Sequence, residues 1–416
     1  MAVVLEKPTR RGPVGRHRRL LLLMGPGLMV MLADTDAGSI TTAAQSGASW
    51  GYRLVLPQLL LIPVLYVVQE ITVRLGILTG EGHASLIRKH YGRRWAVLSG
   101  VTLVVACIGA LITEFAGIAG VGELAGISPA LSVPLVALLL CVLCVTGGYR
   151  RVEVVGISLG LLELAFIPAA LLSGPHLGGL VGGLTHPLVL QRDYLTLLAA
   201  NVGAVIMPWM VFYQQGALID KGLGRTDLRA ARVDTAVGSV LTQVIMVAVV
   251  VATAATIGVA HPGQALNSIG DIAQALVPFL GERTAKILFG LGMLGASCVA
   301  ALVVALAGSW GLSEALGWRR SLNDPLPQAR RFYLAFVLAL IGSAVAVVVA
   351  PNLVNLSVNV QIMNAMLLPV VLGFLLALER SALAPADRMT GAYKWFAWLL
   401  TGIVIAFGFY TIAVIV

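Results

Sequence analysis

Residues 28–50 read Leu28-Met-Val-Met-Leu-Ala-Asp34-Thr-Asp36-Ala-Gly38-Ser39-Ile-Thr-Thr-Ala-Ala-Gln45-Ser-Gly-Ala-Ser-Trp50. The stretch starts as an apolar membrane helix and then sets two carboxylates in its middle. A carboxylate at mid-membrane costs roughly 2.5–3.5 kcal/mol on insertion scales, so it is rarely idle. Ala37, Gly38 and Ser39 follow at once, and small polar residues let a helix unwind and free its carbonyls. Such breaks survive at membrane depth only against protein or a watery cavity. Two acids, free carbonyls and a break make a site for a hard or borderline cation. The competing reading, a kinked helix whose acids pair with a buried Arg, meets a shortage of Arg and Lys in the apolar segments.

Composition agrees. Of 416 residues, 58% are hydrophobic and 11% charged, which excludes a soluble domain and describes an all-α membrane protein. About eleven apolar segments are long enough to span a bilayer. They cover 20–47, 54–77, 96–125, 131–148, 152–173, 193–217, 235–259, 284–313, 332–350, 353–378 and 394–415. The connections are short, so residues 20–416 read as a single transmembrane domain behind a basic tail, 1–19. The four cysteines all lie in apolar runs. Cys141 and Cys144 match C-x-x-C but lack a surrounding βαβ pattern, so buried free thiols are expected.

Lys and Arg alternate between loops. One side holds Arg10, Arg16, Arg88, Lys89, Arg150, Arg151, Lys221, Arg225, Arg319, Arg320, Arg380 and Arg388, among others. The opposite side holds only Arg53, Arg192, Arg283 and Lys286. By the positive-inside rule the N-terminus is cytoplasmic and the chain is multi-pass in the cell membrane. The net charge of +9 therefore faces anionic lipid, and no nucleic-acid partner is expected.

A second break is written in Asn201-Val-Gly-Ala204-Val-Ile-Met207-Pro208-Trp209-Met-Val-Phe-Tyr-Gln214-Gln-Gly216. Pro208 removes a backbone donor and interrupts the sixth segment after Met207. Paired interruptions in two halves point to a transporter built from inverted repeats, with its site at the breaks. A plain proline kink is the alternative. Met207 offers a thioether, which favours transition metals over Mg²⁺ or Ca²⁺, unless it is a core gap-filler. Glu114 in the third segment is either proton- or gate-linked or a hydrogen-bonded strut. Asn359, Gln361 and Asn364 in the tenth offer uncharged oxygen donors, or glue between helices.

Weaker matches dissolve on inspection. Gly290-Leu-Gly-Met-Leu-Gly295 fits G-x-G-x-x-G inside an apolar helix with no preceding strand, so it is read as helix packing. Gly156 to Gly160 is a G-x-x-x-G of the same kind. His83, His90, His176, His186 and His261 fall in predicted loops, as does the glycine-rich stretch 178–186, and His17 lies in the tail. No nucleophile–base pair stands out, so no enzyme is expected.

Together these residues resemble the NRAMP divalent-metal transporters over about residues 20–380. The family's Asp-Pro-Gly-Asn is similar to Asp36-Ala37-Gly38-Ser39. Its Ala-x-x-Met-Pro-His is similar to Ala204-Val-Ile-Met207-Pro208-Trp209. Its tenth-helix Gln before Leu-Pro is similar to Gln361 before Leu368-Pro369. Thr79-Gly80-Glu81 through Trp95, and Gln45 through Tyr52, also match. The resemblance implies the leucine-transporter fold, with 5+5 inverted repeats at about 20–173 and 193–378, helices 1 and 6 broken, and an extra helix at 394–415. It implies a divalent metal ion as substrate, no cofactor, and Asp36, Ser39, Ala204, Met207 and Gln361 as the metal's ligands. Asp34, Glu114 and Gln214 are accessory or proton-linked candidates.

Six departures bear on mechanism, the first being Ala37 in place of the family Pro. Ser39 is shorter than the family Asn. Trp209 and Gln214 stand where the family has His. Gly117 replaces the second of two third-helix acids, Glu114 filling the first place. Asp34 is an extra acid. The expectation is import of a Mn²⁺- or Fe²⁺-like ion by alternating access with weak or absent proton coupling. The rivals are a Mg²⁺ carrier of a related branch and an organic-solute carrier on the same fold.

Overall fold

The computed structural model describes residues 25–185, 189–260, 263, 266, 269–270, 272–273, 277, 281–349 and 356–415. The basic tail, His17, His186 and His261 lie outside the described residues. Among these residues all regular structure is helical. The helices are α1 (Pro26–Asp34), α2 (Ala37–Trp50), α3 (Val55–Thr79), α4 (His83–Tyr91), α5 (Arg93–Leu124), α6 (Pro129–Gly160), α7 (Phe166–Leu172) and α8 (Leu177–Thr185). They continue with α9 (Arg192–Val205), α10 (Pro208–Asp220), α11 (Leu228–Ala255), α12 (Ile257–Ala260), α13 (Glu282–Leu316), α14 (Arg330–Val349), α15 (Leu356–Ser381) and α16 (Gly391–Ile415).

Among the described residues nine helical stretches are long and apolar enough to cross a membrane. Two of them, Ala37–Thr79 and Pro129–Leu172, run to 43 and 44 residues. One crossing needs about 20 residues, so each is two crossings. The reversals fall at Gly51 and Gly148, where φ is +58° and +64°. Only glycine adopts that region without strain. With the two broken helices each counted once, the described residues supply about eleven crossings, as hydropathy predicts.

Helix contacts are made where side chains are smallest. Gly156 and Gly160 of α6 receive Met29 and Leu32 of α1. Gly292 and Gly295 of α13 receive Phe166 and the Leu159 carbonyl. Small residues let backbones approach in lipid, where apolar burial alone gives no driving force. The G-x-G-x-x-G and G-x-x-x-G matches are thus packing seams, and the four cysteines are buried free thiols.

Two expectations about loops are corrected. The glycine-rich stretch folds as α8, its Gly183 lying against the Tyr52 backbone. His83 and His90 sit in α4 rather than a loop. His83 is buried edge-on to Phe212 with ring centroids 4.9 Å apart, and burial pushes its imidazole down to about 3. It is a neutral packing group.

Candidate metal site at the two helix breaks

The first break lies two residues earlier than the small-residue run suggests. α1 stops at Asp34, Thr35 and Asp36 form the linker, and Ala37, Gly38 and Ser39 are the first turn of α2. The cause is capping. Asp36 is the N-cap of α2, and its Oδ1 accepts from the Ser39 N–H at 2.6 Å. Asp is among the best residues for that place because its carboxylate satisfies an otherwise unpaired N–H. A second N–H of the same turn, that of Ala37, donates to Glu114 Oε2 at 3.1 Å. Gln361 Nε2 of α15 reaches Asp36 Oδ1 at 3.3 Å. Asp36 Oδ2 is buried with no hydrogen-bond partner.

The second break falls where Pro208 predicts. α9 ends at Val205, Ile206 and Met207 are extended, and Pro208 opens α10 as its first residue. Proline suits that position because its missing N–H has no helical partner there. The unwinding frees carbonyls, and that of Ala204 accepts from Ser39 Oγ at 2.9 Å. This bond ties the two breaks together. Met207 is the buried N-cap of α10. Asn201 of α9 braces the neighbouring helices, accepting from Gln58 at 2.6 Å and donating to Ser46 at 2.8 Å.

Gln361 closes the group from α15. Its Oε1 accepts from Asn364 Nδ2 at 2.9 Å, which orients the amide nitrogen toward Asp36. Two glycines admit it. A Cβ on Gly38 would strike the Gln361 amide, and one on Gly203 would strike the Gln361 carbonyl and come within 2.8 Å of the Ala365 nitrogen. Gly203→Ala is expected to force α9 from α15, costing about 1–3 kcal/mol as overpacking does. Thermal unfolding and metal uptake read this directly. Gly373→Ala, with nothing within 4 Å of its Cβ, serves as the silent control.

Of the sequence-derived residues, Asp36, Ser39, Ala204 and Gln361 are thus hydrogen-bonded into one buried group. Asn359 is exposed and stands apart from it. Gln214 points to α11, its Nε2 donating to Thr235 Oγ1 at 2.9 Å. Trp209 is buried, its indole nitrogen without a partner. At Gly117, a Cβ would collide with Ser297 Oγ and sit 2.7 Å from the Ala37 Cβ. An acid has no room there, and the small Ala37 lies directly opposite.

Sequence reasoning passed over two acids. Glu163 lies fully buried beside Thr35, in electrostatic reach of Asp34 and Asp36, and neither of its oxygens has a hydrogen-bond partner. Asp34 Oδ1 is likewise unpartnered. The rule that singled out Glu114, an acid inside an apolar run, applies equally to Leu161-Leu-Glu163-Leu. Asp234 of α11 is the other. It accepts from the Gly25, Gly27 and Leu28 N–H groups at 3.0, 2.7 and 3.2 Å. Those bonds anchor the start of α1, which is buried apart from Leu28. At the far end of α2, a cavity of about 380 Å³ is lined by Gln45, Ser49, Trp50 and Asp193.

Among the described residues no group of three His, Cys, Asp or Glu is arranged around a metal position. An ion at the breaks would therefore need neutral oxygen or sulfur donors beside its carboxylates. Hydrogen bonds gather a carboxylate, a hydroxyl, a carbonyl and an amide around Asp36, and Met207 follows in the adjoining linker.

Known proteins share this architecture. The family model described as natural resistance-associated macrophage protein-like matches residues 27–414. The divalent metal cation transporter MntH of Verminephrobacter eiseniae is 26% identical over 402 residues, covering 91% of this chain and 85% of that protein. The same-named protein of Agrobacterium fabrum is 28% identical over 304 residues, covering 70% of this chain and 66% of its own length. In fold, the manganese transporter of Eremococcus coleocola superposes with a TM-score of 0.80 at 22% identity, covering 97% of this chain and 89% of that one. Mhp1, a nucleobase-cation-symport-1 family transporter, superposes at 0.59 with 14% identity, covering 93% and 90%. With two broken helices meeting at a buried carboxylate and a family match over nearly its whole length, this chain belongs to the Nramp family.

Proposed function

We propose that this chain is a secondary transporter that imports a divalent metal ion by alternating access, holding it with Asp36, Ser39, Ala204, Met207 and Gln361. The observation that carries the reading is how the start of α2 is occupied. In carriers of organic acids a free helix N-terminus receives the substrate carboxylate. Here the Ser39 and Ala37 N–H groups are already taken by Asp36 and Glu114. What remains open is Asp36 Oδ2, an acceptor that suits a cation. Repeat one would run over about 20–173 and repeat two over about 193–378, with the extra helix at 394–415 and the N-terminus cytoplasmic. No catalytic step is assigned to the chain.

The Mg²⁺ alternative keeps one argument in its favour. Ser39 is short, and a hard ion that retains its waters needs the room. Met207 argues for Mn²⁺, because a thioether adds little to an ion that stays hydrated.

Proton coupling is expected to be weak. Trp209, Gln214 and Gly117 place no titratable group where coupling would be carried. Proteoliposomes loaded with a pH-sensitive dye and given Mn²⁺ should accumulate metal with little acidification. Failure to take up Mn²⁺ or Mg²⁺ would remove the transporter reading. Stoichiometric acidification would remove only the coupling claim, and would direct attention to Asp34, Glu114 and Glu163.

A further inference from the structure

The basic face of the molecule carries a cavity of about 510 Å³ between α4, the end of α15 and the start of α16. Its polar rim is Tyr91, Arg380, Ser381 and Trp398, and Leu376 forms part of its apolar floor. Tyr91 Oη and Ser381 Oγ are 3.0 Å apart. The Arg380 guanidinium lies over the Trp398 ring, 5.6 Å from its centroid, and among the described residues it pairs with no carboxylate. The adjacent acid, Glu379, is buried and accepts from the Met389 N–H at 2.6 Å, so it does not neutralise the arginine. The Trp398 indole N–H is buried without an acceptor. A cation and two hydroxyls therefore line one cavity that contains no acid, with the Trp398 ring as its wall.

The surroundings say what kind of anion fits. Trp395 and Leu399 beside the cavity are 70% and 62% exposed, and Trp95 across it is 51% exposed. Exposed tryptophans of this kind mark the headgroup level of a bilayer. Lys394 lies over the Trp395 ring at 5.2 Å and adds positive charge at the same level. A free phosphate would meet one guanidinium and an apolar floor. A phospholipid would place its phosphate on Arg380 and the Tyr91 and Ser381 hydroxyls and lay its chains along the exposed side chains of α16. Anionic lipid is also what a basic face meets at a cytoplasmic leaflet.

We propose that this cavity binds the headgroup of an anionic phospholipid. The site is separate from the helix breaks and does not depend on which ion is carried. Full-length protein in detergent, titrated with dioctanoyl phosphatidylglycerol and followed by native mass spectrometry, tests it. Wild type should retain this lipid roughly 10-fold more tightly than dioctanoyl phosphatidylcholine, and Arg380→Gln should remove most of that preference. Tyr91→Phe keeps the ring and its packing while deleting a hydroxyl at the cavity rim. It should weaken binding in the same direction, and it decides the matter if Arg380→Gln fails to fold. Arg150→Gln, on another part of the basic face, should change nothing. Equal retention of the two lipids, or unchanged retention in both cavity variants, overturns the proposal. Displacement of the lipid by millimolar inorganic phosphate also overturns it, in favour of a free-anion site.

Discussion

Asp36→Asn should abolish metal uptake while leaving the protein folded. The two consequences separate because the two carboxylate oxygens do different things. Oδ1 caps α2 through the Ser39 N–H, and Asn keeps an oxygen for that bond. Asn and Asp are near-equal N-caps. Oδ2 is buried with no hydrogen-bond donor on it, which leaves it for the proposed ion. In the variant that position becomes an NH₂, which donates and cannot coordinate. Truncating one partner of a buried charged pair costs roughly 2–5 kcal/mol, so affinity should drop by about 30-fold or more. Calorimetry with Mn²⁺ and uptake in proteoliposomes measure the loss, and thermal unfolding checks the fold. Uptake at the wild-type rate would remove Asp36 from the ligand set.

Met207→Ala should change which ion is bound. The side chain is buried at the start of α10, in the linker that follows the Ala204 carbonyl. Losing one soft ligand is expected to weaken Mn²⁺ and Cd²⁺ by about 1–3 kcal/mol, or roughly 5- to 150-fold. Mg²⁺ and Ca²⁺ should be unchanged or improved, since a thioether contributes little to hard ions. Calorimetry on both proteins with all four ions decides it. Should wild type bind Mg²⁺ as well as Mn²⁺, with neither changed by the substitution, Met207 is packing and the Mg²⁺ reading takes its place.

Much of this molecule was legible from residue order alone, because the bilayer removes choices. Backbone polar groups in lipid must be satisfied within a helix, so apolar length predicts the crossings. Pro208 located the start of the helix after the second break, since a missing N–H is a local chemical fact that no neighbour restores, while the preceding helix already ends at Val205. Asp36 was legible for a similar reason, being a costly charge in an apolar run. Nearby Glu163 was as legible by that rule, though the leucines of its segment surround it.

Tertiary structure decided the rest. The first break fell at Thr35 and Asp36 rather than at Ala37 to Ser39, because the Asp36 carboxylate, braced by Gln361, can end one helix and cap the next. Asn359, Gln361 and Asn364 looked equivalent in sequence. Helical rotation turned Asn359 outward and the other two inward. Gly117 read as a missing acid, and packing shows Ala37 and Ser297 closing over that spot. Residue order determined the number of crossings, the two interruptions and the charge at the centre, all of which follow from the local chemistry of a chain in lipid. Which oxygen of Asp36 is spent on capping and which is left open depends on atoms contributed by α5, α9 and α15, and only their assembly in three dimensions settles it.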